Sequence, residues 1–314
     1  MSSARDEFFN TIFNQINEGE DIYIITADIG APSLDDLRKY FPERYISVGI
    51  AEQNLIAAAC GLALNGHSVI AYGLSPFPTT RAFDQLRSVV AGQNIPITVC
   101  GLNAGLCSAE SGYTHMPIDD YAIMRTLPEI EIYNPSDFAI SRILAKRTES
   151  IHHPRFIRFD KAIRSDFYDE TSLNFDYGFS LYNDLPQGDI LLVSFGVYIS
   201  ELRNLVDQLS NRGKKVALAD FYKTPVNEKL FTQFAEKYKN IITVEENVLK
   251  GGLGSYVLEI LSDNEINIPV KRMGLNLNSG TYQVFTSRAY IRNDQKISID
   301  DVRSVILTFL ERGD

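Results

Sequence analysis

The sequence is poor in the residues that define several common protein classes. It has three cysteines in 314 residues, Cys60, Cys100 and Cys107, and no two form a Cys-x-x-Cys pair. Combined with the four histidines, they show no zinc-ligand spacing. A disulfide framework and a structural zinc site are therefore excluded as organising features. Isolated cysteines in apolar or helical stretches read as core residues. No run approaches the roughly 18 apolar residues of a membrane span. The start, Met1-Ser2-Ser3-Ala4-Arg5-Asp6-Glu7, is polar and has no apolar signal core. A soluble cytoplasmic protein with no membrane partner is the expectation. Positive charge is also scarce: 30 Lys and Arg face 40 Asp and Glu, for a net charge of −10 and a pI near 5.0. That opposes non-specific nucleic-acid binding, which needs a basic footprint, but leaves room for a local pocket built from a few basic groups. There is no P-loop, no Gly-x-Ser-x-Gly elbow and no metal-binding helix motif. Internal repeats and low-complexity tracts are absent.

What is present suits a globular fold. Hydrophobic residues make up 45% and charged residues 22%, enough to bury ordinary cores. The length suggests about two domains. Apolar runs suited to buried parallel strands occur at Ile22–Ala27, Ser68–Gly73, Pro96–Gly101 and Phe156–Phe159. Helical spacing occurs between them: Phe9, Ile12, Phe13 and Ile16 share one face. A helix is expected to open at Ser33, another to carry Arg81–Arg87, and another to follow Asn134-Pro135-Ser136-Asp137. Phe156–Phe159 is expected to close the first sheet. Ser165–Tyr177 is polar and aperiodic, and reads as a linker. A second alternation follows, with strands at 190–194, 215–220, 241–244 and 268–272, and helices at 199–209 and 297–310. The fold class is therefore α/β, with two consecutive parallel-sheet domains over residues 1–165 and 178–314.

One stretch organises the first domain. Tyr45-Ile46-Ser47-Val48-Gly49-Ile50-Ala51-Glu52-Gln53-Asn54 reads as a short strand, a glycine turn and the start of a helix. Small residues continue that helix to Leu64, and Asn65-Gly66 gives it a left-handed stop. Glu52 falls in the first turn, where the helix dipole favours a carboxylate. A plain helix-start acid and a functional carboxylate both satisfy this placement.

Gly-Ile-Ala-Glu-Gln-Asn followed by an Ala-rich helix resembles the pyrimidine-binding domain of transketolases and 1-deoxyxylulose-5-phosphate synthases. The resemblance covers nearly the whole chain and implies a thiamine-diphosphate-binding fold of pyrimidine type, then a transketolase C-terminal-like domain. It implies that Glu52 contacts N1′ of the aminopyrimidine of thiamine diphosphate. Ser75-Pro76-Phe77 followed by Arg81-Ala82-Phe83-Asp84-Gln85 resembles the family's next segment. It implies Phe77, Phe83 and Arg81 as cofactor-binding residues, with Phe77 bordering the pyrimidine. Core packing is the alternative for Phe83. Ser108–His115 resembles the loop Gly-Glu-Asp-Gly-x-Thr-His, which makes His115 a catalytic sugar contact; the alternative is an ordinary surface histidine. Ser111 stands where the family commonly has an aspartate that reads a hydroxyl's configuration. At the phosphate end the resemblance implies Arg5, Ser33, Asn103, Lys161 and Asp28 as substrate-binding. Asn103 replaces a histidine and Lys161 an arginine, so a bidentate fork is lost. Solvated surface charge is the alternative for Arg5 and Lys161. Val244–Ser255 resembles the C-terminal domain and reads as a strand–turn–helix packing motif.

The family's Gly-Asp-Gly…Asn motif, which holds Mg²⁺ through oxygen ligands, is not found in this sequence. The implied protein is thus one subunit of a split transketolase, active with an N-terminal-half subunit that carries that motif and the Mg²⁺ ligands, in a heterotetramer. It would transfer a two-carbon ketol unit between sugars. The alternatives are the β subunit of a 2-oxoacid dehydrogenase E1 component and a non-catalytic regulatory subunit.

Overall fold

The computed structural model describes residues 2–127, 129–276 and 285–311. The first unit begins with α1 (Ala4–Asn17), whose N-terminus is closed by a reciprocal Ser3–Asp6 capping box. Then follow β1 (Ile22–Thr26), α2 (Asp35–Tyr40), β2 (Tyr45–Ser47), α3 (Glu52–Leu64), β3 (Ser68–Leu74), α4 (Phe83–Gln85), β4 (Ile97–Leu102), α5 (Asp120–Met124), β5 (Glu131–Tyr133), α6 (Phe138–Lys146) and β6 (Arg155–Phe159). Strands β3, β4 and β6 are buried almost end to end, as parallel strands covered by helices on both faces must be.

The second unit contains β7 (Ser180–Tyr182), β8 (Gly188–Ser194), α7 (Tyr198–Ser210), β9 (Val216–Asp220), β10 (Lys223–Thr224), α8 (Glu228–Ala235), β11 (Tyr238–Val248), α9 (Leu253–Asp263), β12 (Val270–Leu275), α10 (Arg288–Asp294) and α11 (Ile299–Glu311). Its five-stranded sheet runs β12-β11-β8-β9-β7, parallel except for β7. Both sheets match the expected parallel α/β class.

Three expectations need correction. The strand at Arg155–Phe159 does not close its sheet. It lies inside the order β10-β5-β6-β4-β3-β1-β2, and the edge is β10, contributed antiparallel by the later part of the chain. Short β5 leaves an unpaired edge that only a distant segment reaches, so sequence neighbours give no sign of it. Ser33 does not open a helix as its cap. It sits within a 3-10 turn, Pro32–Leu34, and its hydroxyl donates to Asp6 Oδ1 at 2.9 Å. The helix expected over Arg81–Arg87 is one short α turn between two π-helical turns, Phe77–Arg81 and Leu86–Ala91. Pro76 and Pro78 remove two N–H donors at its start, and the Pro78 ring packs so closely on Gly73 that a Cβ there would lie 3.1 Å from it. Wide turns of this kind frequently accompany functional sites.

Residues 165–177 are polar and largely exposed, but tied down at two points. Phe175 is stacked between Tyr133 and Tyr222, with centroids at 5.8 and 5.3 Å. Tyr168 donates to Asp220 Oδ2 at 3.0 Å, and Ser136 donates to the same oxygen. Asp220 Oδ1 has no partner among the described residues. The packing motif at Val244–Ser255 is as expected: Glu245 accepts the Leu253 and Gly254 N–H groups at 2.8 Å each and so caps α9. A Cβ at Gly252 would lie 2.3 Å from that carboxylate, so glycine is required there.

Burial pushes the Asp220 carboxyl up to about 7, with Asp137 adding to the effect and the Ser136 and Tyr168 hydroxyls opposing it. Burial likewise raises Glu245 to about 7 against its two N–H donors. An acid raised in the folded state binds more protons folded than unfolded between roughly pH 4 and its folded value, so stability falls as pH rises through that window. The urea midpoint is expected to be higher at about pH 5.5 than at about pH 8. Asp220→Asn, which imitates the protonated acid, is expected to narrow that gap; an unchanged gap would show that Asp220 releases its proton at its ordinary value.

Candidate active site

The site begins where β2 ends. Val48 N–H donates to Thr26 O at 3.0 Å, and Gly49 at φ +70° turns the chain into α3. Glu52 is the first residue of that helix, and no side chain caps it. The carboxylate thus sits at the positive end of the helix dipole. Leu55, Ile56, Ala59 and Cys60 bury one face of α3, while Ile50 (75%) and Leu64 (73%) stand exposed.

A plain helix-start acid points to water, whereas Glu52 is 3% exposed. A buried carboxylate needs a partner. Arg81 Nη1 donates to Glu52 Oε2 at 2.7 Å, while Oε1 takes no hydrogen bond among the described residues. The Arg81 guanidinium also lies 4.4 Å over the Phe77 ring. Phe77 meets His115 edge to face, with centroids at 5.5 Å. His115 Nδ1 and Thr114 Oγ1 share a hydrogen bond at 2.9 Å. Glu52, Arg81, Phe77 and His115 therefore form one chain of contacts, although their sequence positions span two strands and a long loop.

Beside them is a cleft of about 360 Å³, lined by residues including Pro76, Thr80, Tyr113, Met116 and Asp119. Asp119 was not legible in the sequence. Burial and the neighbouring Asp120 raise its carboxyl above the ordinary value, which puts a perturbed acid on the wall of the cleft. Below the cleft, Asp120 and Arg158 form a fully buried ion pair, Nη2 to Oδ1 at 2.7 Å and Nε to Oδ2 at 3.0 Å. Ser75, two residues before Phe77, donates to Asp120 Oδ2 at 2.8 Å. Arg158 also donates to Asn134 at 2.7 Å and to Asn247 of the second unit at 3.3 Å.

The remaining sequence candidates lie elsewhere. Arg5 and Ser33 meet on one carboxylate: Arg5 donates to Asp6 Oδ1 from Nε and Nη2 at 3.0 and 2.6 Å, and Ser33 joins them there. Arg5 is buried, so the surface-charge reading does not hold for it. Ala4 N–H donates to Ile163 O at 3.0 Å, which sets this corner beside the segment carrying Lys161. Lys161 itself is exposed. Asn103 is buried at φ +68° and donates to Ser108. Asp28, at φ +52°, and Ser111 are exposed. Phe83 is not brought to the Glu52 cluster. It packs on the core and lines a separate groove with Arg87, Ala91 and Leu127.

Residues 4–163 match the transketolase pyrimidine-binding domain, and residues 183–295 match the transketolase C-terminal domain. The chain belongs to the transketolase family. It is 29% identical to an apulose-4-phosphate transketolase subunit of Phocaeicola vulgatus over 88% of either chain. It is 27% identical to a putative transketolase C-terminal section of Methanocaldococcus jannaschii, over 87% of this chain and 86% of that one. Against the 1-deoxy-D-xylulose-5-phosphate synthase of Shouchella clausii it is 32% identical over 85% of its length, but this covers only 43% of the synthase. A solved split-gene transketolase, described as an inactive β4 tetramer, superposes with a TM-score of 0.84 at 26% identity over 99% of both chains. The transketolase of Campylobacter jejuni shares the fold, with a TM-score of 0.81 at 16% identity over 98% of this chain and 46% of that one.

The residues present suit the pyrimidine end of thiamine diphosphate. The family's cofactor needs a carboxylate at a ring nitrogen and an apolar wall. Glu52 offers an oxygen left free beside Arg81, and Phe77 offers a ring at the cleft. No group of three or more His, Cys, Asp or Glu that would hold a metal ion occurs among the described residues. No described helix is long and apolar enough to cross a membrane.

Asp120→Asn removes the counter-charge of a guanidinium that cannot reach water. Breaking one side of a buried pair typically costs about 3–5 kcal/mol. Urea unfolding of the variant is expected to show a loss of that order. A loss within experimental error would mean that Arg158 finds another partner and that the pair is not what ties Ser75 to the second unit.

Proposed function

We propose that this chain is the C-terminal-half subunit of a split, thiamine-diphosphate-dependent transketolase, transferring a two-carbon ketol unit between sugar or sugar-phosphate substrates. The observation that carries the proposal is the buried Glu52 carboxylate at the start of α3, anchored through one oxygen by Arg81 and adjoining Phe77 and His115. When bound, thiamine diphosphate supplies the carbon nucleophile and the electron sink for breaking and remaking the sugar's carbon–carbon bond. Glu52 would hold a proton at N1′ of the pyrimidine. Arg81 would keep Glu52 oriented by occupying Oε2. Phe77 would border the ring and exclude water from that edge. His115, reached through Phe77, would bind a sugar oxygen and move a proton there. Asp119, which lines the same cleft, would add a polar contact there.

Similarity to a relative named as one transketolase subunit, and to another named as a C-terminal section, supports a partner chain that carries the diphosphate-binding domain and the Mg²⁺ ligands. The β4 assembly of the split-gene relative, described as inactive, supports self-association of this half and its dependence on the other.

Two outcomes are expected. The chain alone binds thiamine diphosphate weakly and shows no ketol transfer, while the pair assembles as two copies of each chain. Calorimetry, light scattering and ketol-transfer assays measure these, and full turnover by the single chain would overturn the split-enzyme reading. In the assembled pair, Glu52→Gln is expected to lower turnover about 10²–10⁴-fold, roughly 3–5 kcal/mol of barrier, since the amide cannot share a proton as a carboxylate does. Deuterium exchange at cofactor C2 is expected to slow in parallel, with cofactor affinity changed much less. Wild-type rates in both assays would leave Glu52 a structural acid.

A further inference from the structure

The loop over residues 103–118 carries His115 but has little structure of its own, with only two 3-10 turns, Ala109–Ser111 and Tyr113–His115. Most of its apolar side chains pack on the second unit. Leu106, Ala109, Met116 and Ile118 are buried in the core of the second unit with Leu192 and Ile242. Its backbone is held from the same side. Leu106 N–H donates to Glu246 Oε2 at 2.9 Å, Asn247 Nδ2 donates to Ile118 O at 3.1 Å, and Val248 N–H donates to that carbonyl at 2.8 Å.

We infer that Glu246 and Asn247 are positioning residues, and that the C-terminal unit is the template on which the substrate-facing loop takes its shape. This rests on reading His115 as a sugar contact. Adjacent strand residues point to opposite faces, so Glu245 caps α9 while Glu246 reaches the loop. The register of β11 against β12 shifts between Val244 and Val248, which frees this stretch from regular pairing. Glu246 is itself set: Oε1 takes Arg292 Nε at 2.6 Å and lies 3.1 Å from Arg288 Nε. Burial would raise this carboxyl, but Arg288, Arg292 and the Leu106 N–H hold it below its ordinary value, and hence charged. Gly105 is an independent sign of the fit. It sits at φ +59°, and a Cβ there would lie 2.7 Å from Glu246 Oε2, so only glycine lets loop and carboxylate meet.

The test uses exchange and kinetics together. In the purified chain, Glu246→Ala is expected to speed amide exchange over 103–118 by about 10-fold or more, with β4 unchanged. Glu246→Gln, which keeps an acceptor for Leu106, is expected to fall between the two. In the assembled pair, Glu246→Ala is expected to lower kcat/KM for the sugar about 10-fold, with thiamine diphosphate affinity within about threefold of wild type. Unchanged loop exchange overturns the inference, and so does equal acceleration in loop and β4, which marks a merely structural role. A wild-type pair without ketol transfer overturns the transketolase reading instead, and exchange alone then decides whether Glu246 shapes the loop.

Discussion

The Arg158 guanidinium is buried at the meeting point of the two units, where it cannot reach water, so its charge has to be met from within. Asp120 meets it with both oxygens, and the remaining donors reach Asn134 and Asn247. Removing water from such a pair carries a large penalty, and only a full set of hydrogen bonds makes it tolerable. That requirement draws four separate segments to one point: Ser75 at the end of β3, Asp120 after the long loop, Asn134 after β5 and Asn247 at the end of β11. Phe77 and His115 lie within a few residues of two of them. The cleft is therefore shaped from below by a charge that the fold must satisfy.

Above that base, the carboxylates are sorted by what surrounds them. Asp6 accepts from Ser3, Arg5 and Ser33, and these donors hold its carboxyl below the ordinary range against burial. Asp119, Asp220 and Glu245 have no such direct cationic partner among the described residues, and burial raises them. Glu52 has one oxygen held by Arg81 and one without a hydrogen bond among the described residues, as Asp220 has one oxygen held by Ser136 and Tyr168 and one without a partner. The Arg5–Asp6–Ser33 corner shows the reverse: the donors that the family resemblance assigns to substrate are occupied by a carboxylate of the same chain.

The second unit is more than an appendage to the first. It contributes β10 to the first sheet, and its core receives the apolar side chains of the site loop. Tyr121 and Phe195, with ring centroids 5.1 Å apart, join the cores of the two units at the junction. A cleft built this way keeps its geometry only while both units are docked, which makes their interface part of the site.

Local elements were legible in the chain alone. Apolar runs marked the parallel strands, because strands buried on both faces need them. Gly49 and Asn65-Gly66 bounded α3, because only residues that tolerate positive φ end helices in this way. The motif around Glu52 was legible, as was the strand–turn–helix packing motif at Val244–Ser255, because each is carried by neighbours in the chain. Packing settled whatever depends on distant partners. It buried Glu52 and paired it with Arg81, moved Phe83 away to another groove, and joined Arg5 to Ser33 through Asp6. It added β10 to a sheet begun about two hundred residues earlier, and it placed Asp119 and Glu246 at the site loop. No local pattern announces these contacts, since burial and charge pairing are properties of the packed chain. The irregular turn after Phe77 was not legible either: the sequence suggested a helix over Arg81–Arg87, and only the wide turns and the packing of Pro78 on Gly73 showed otherwise.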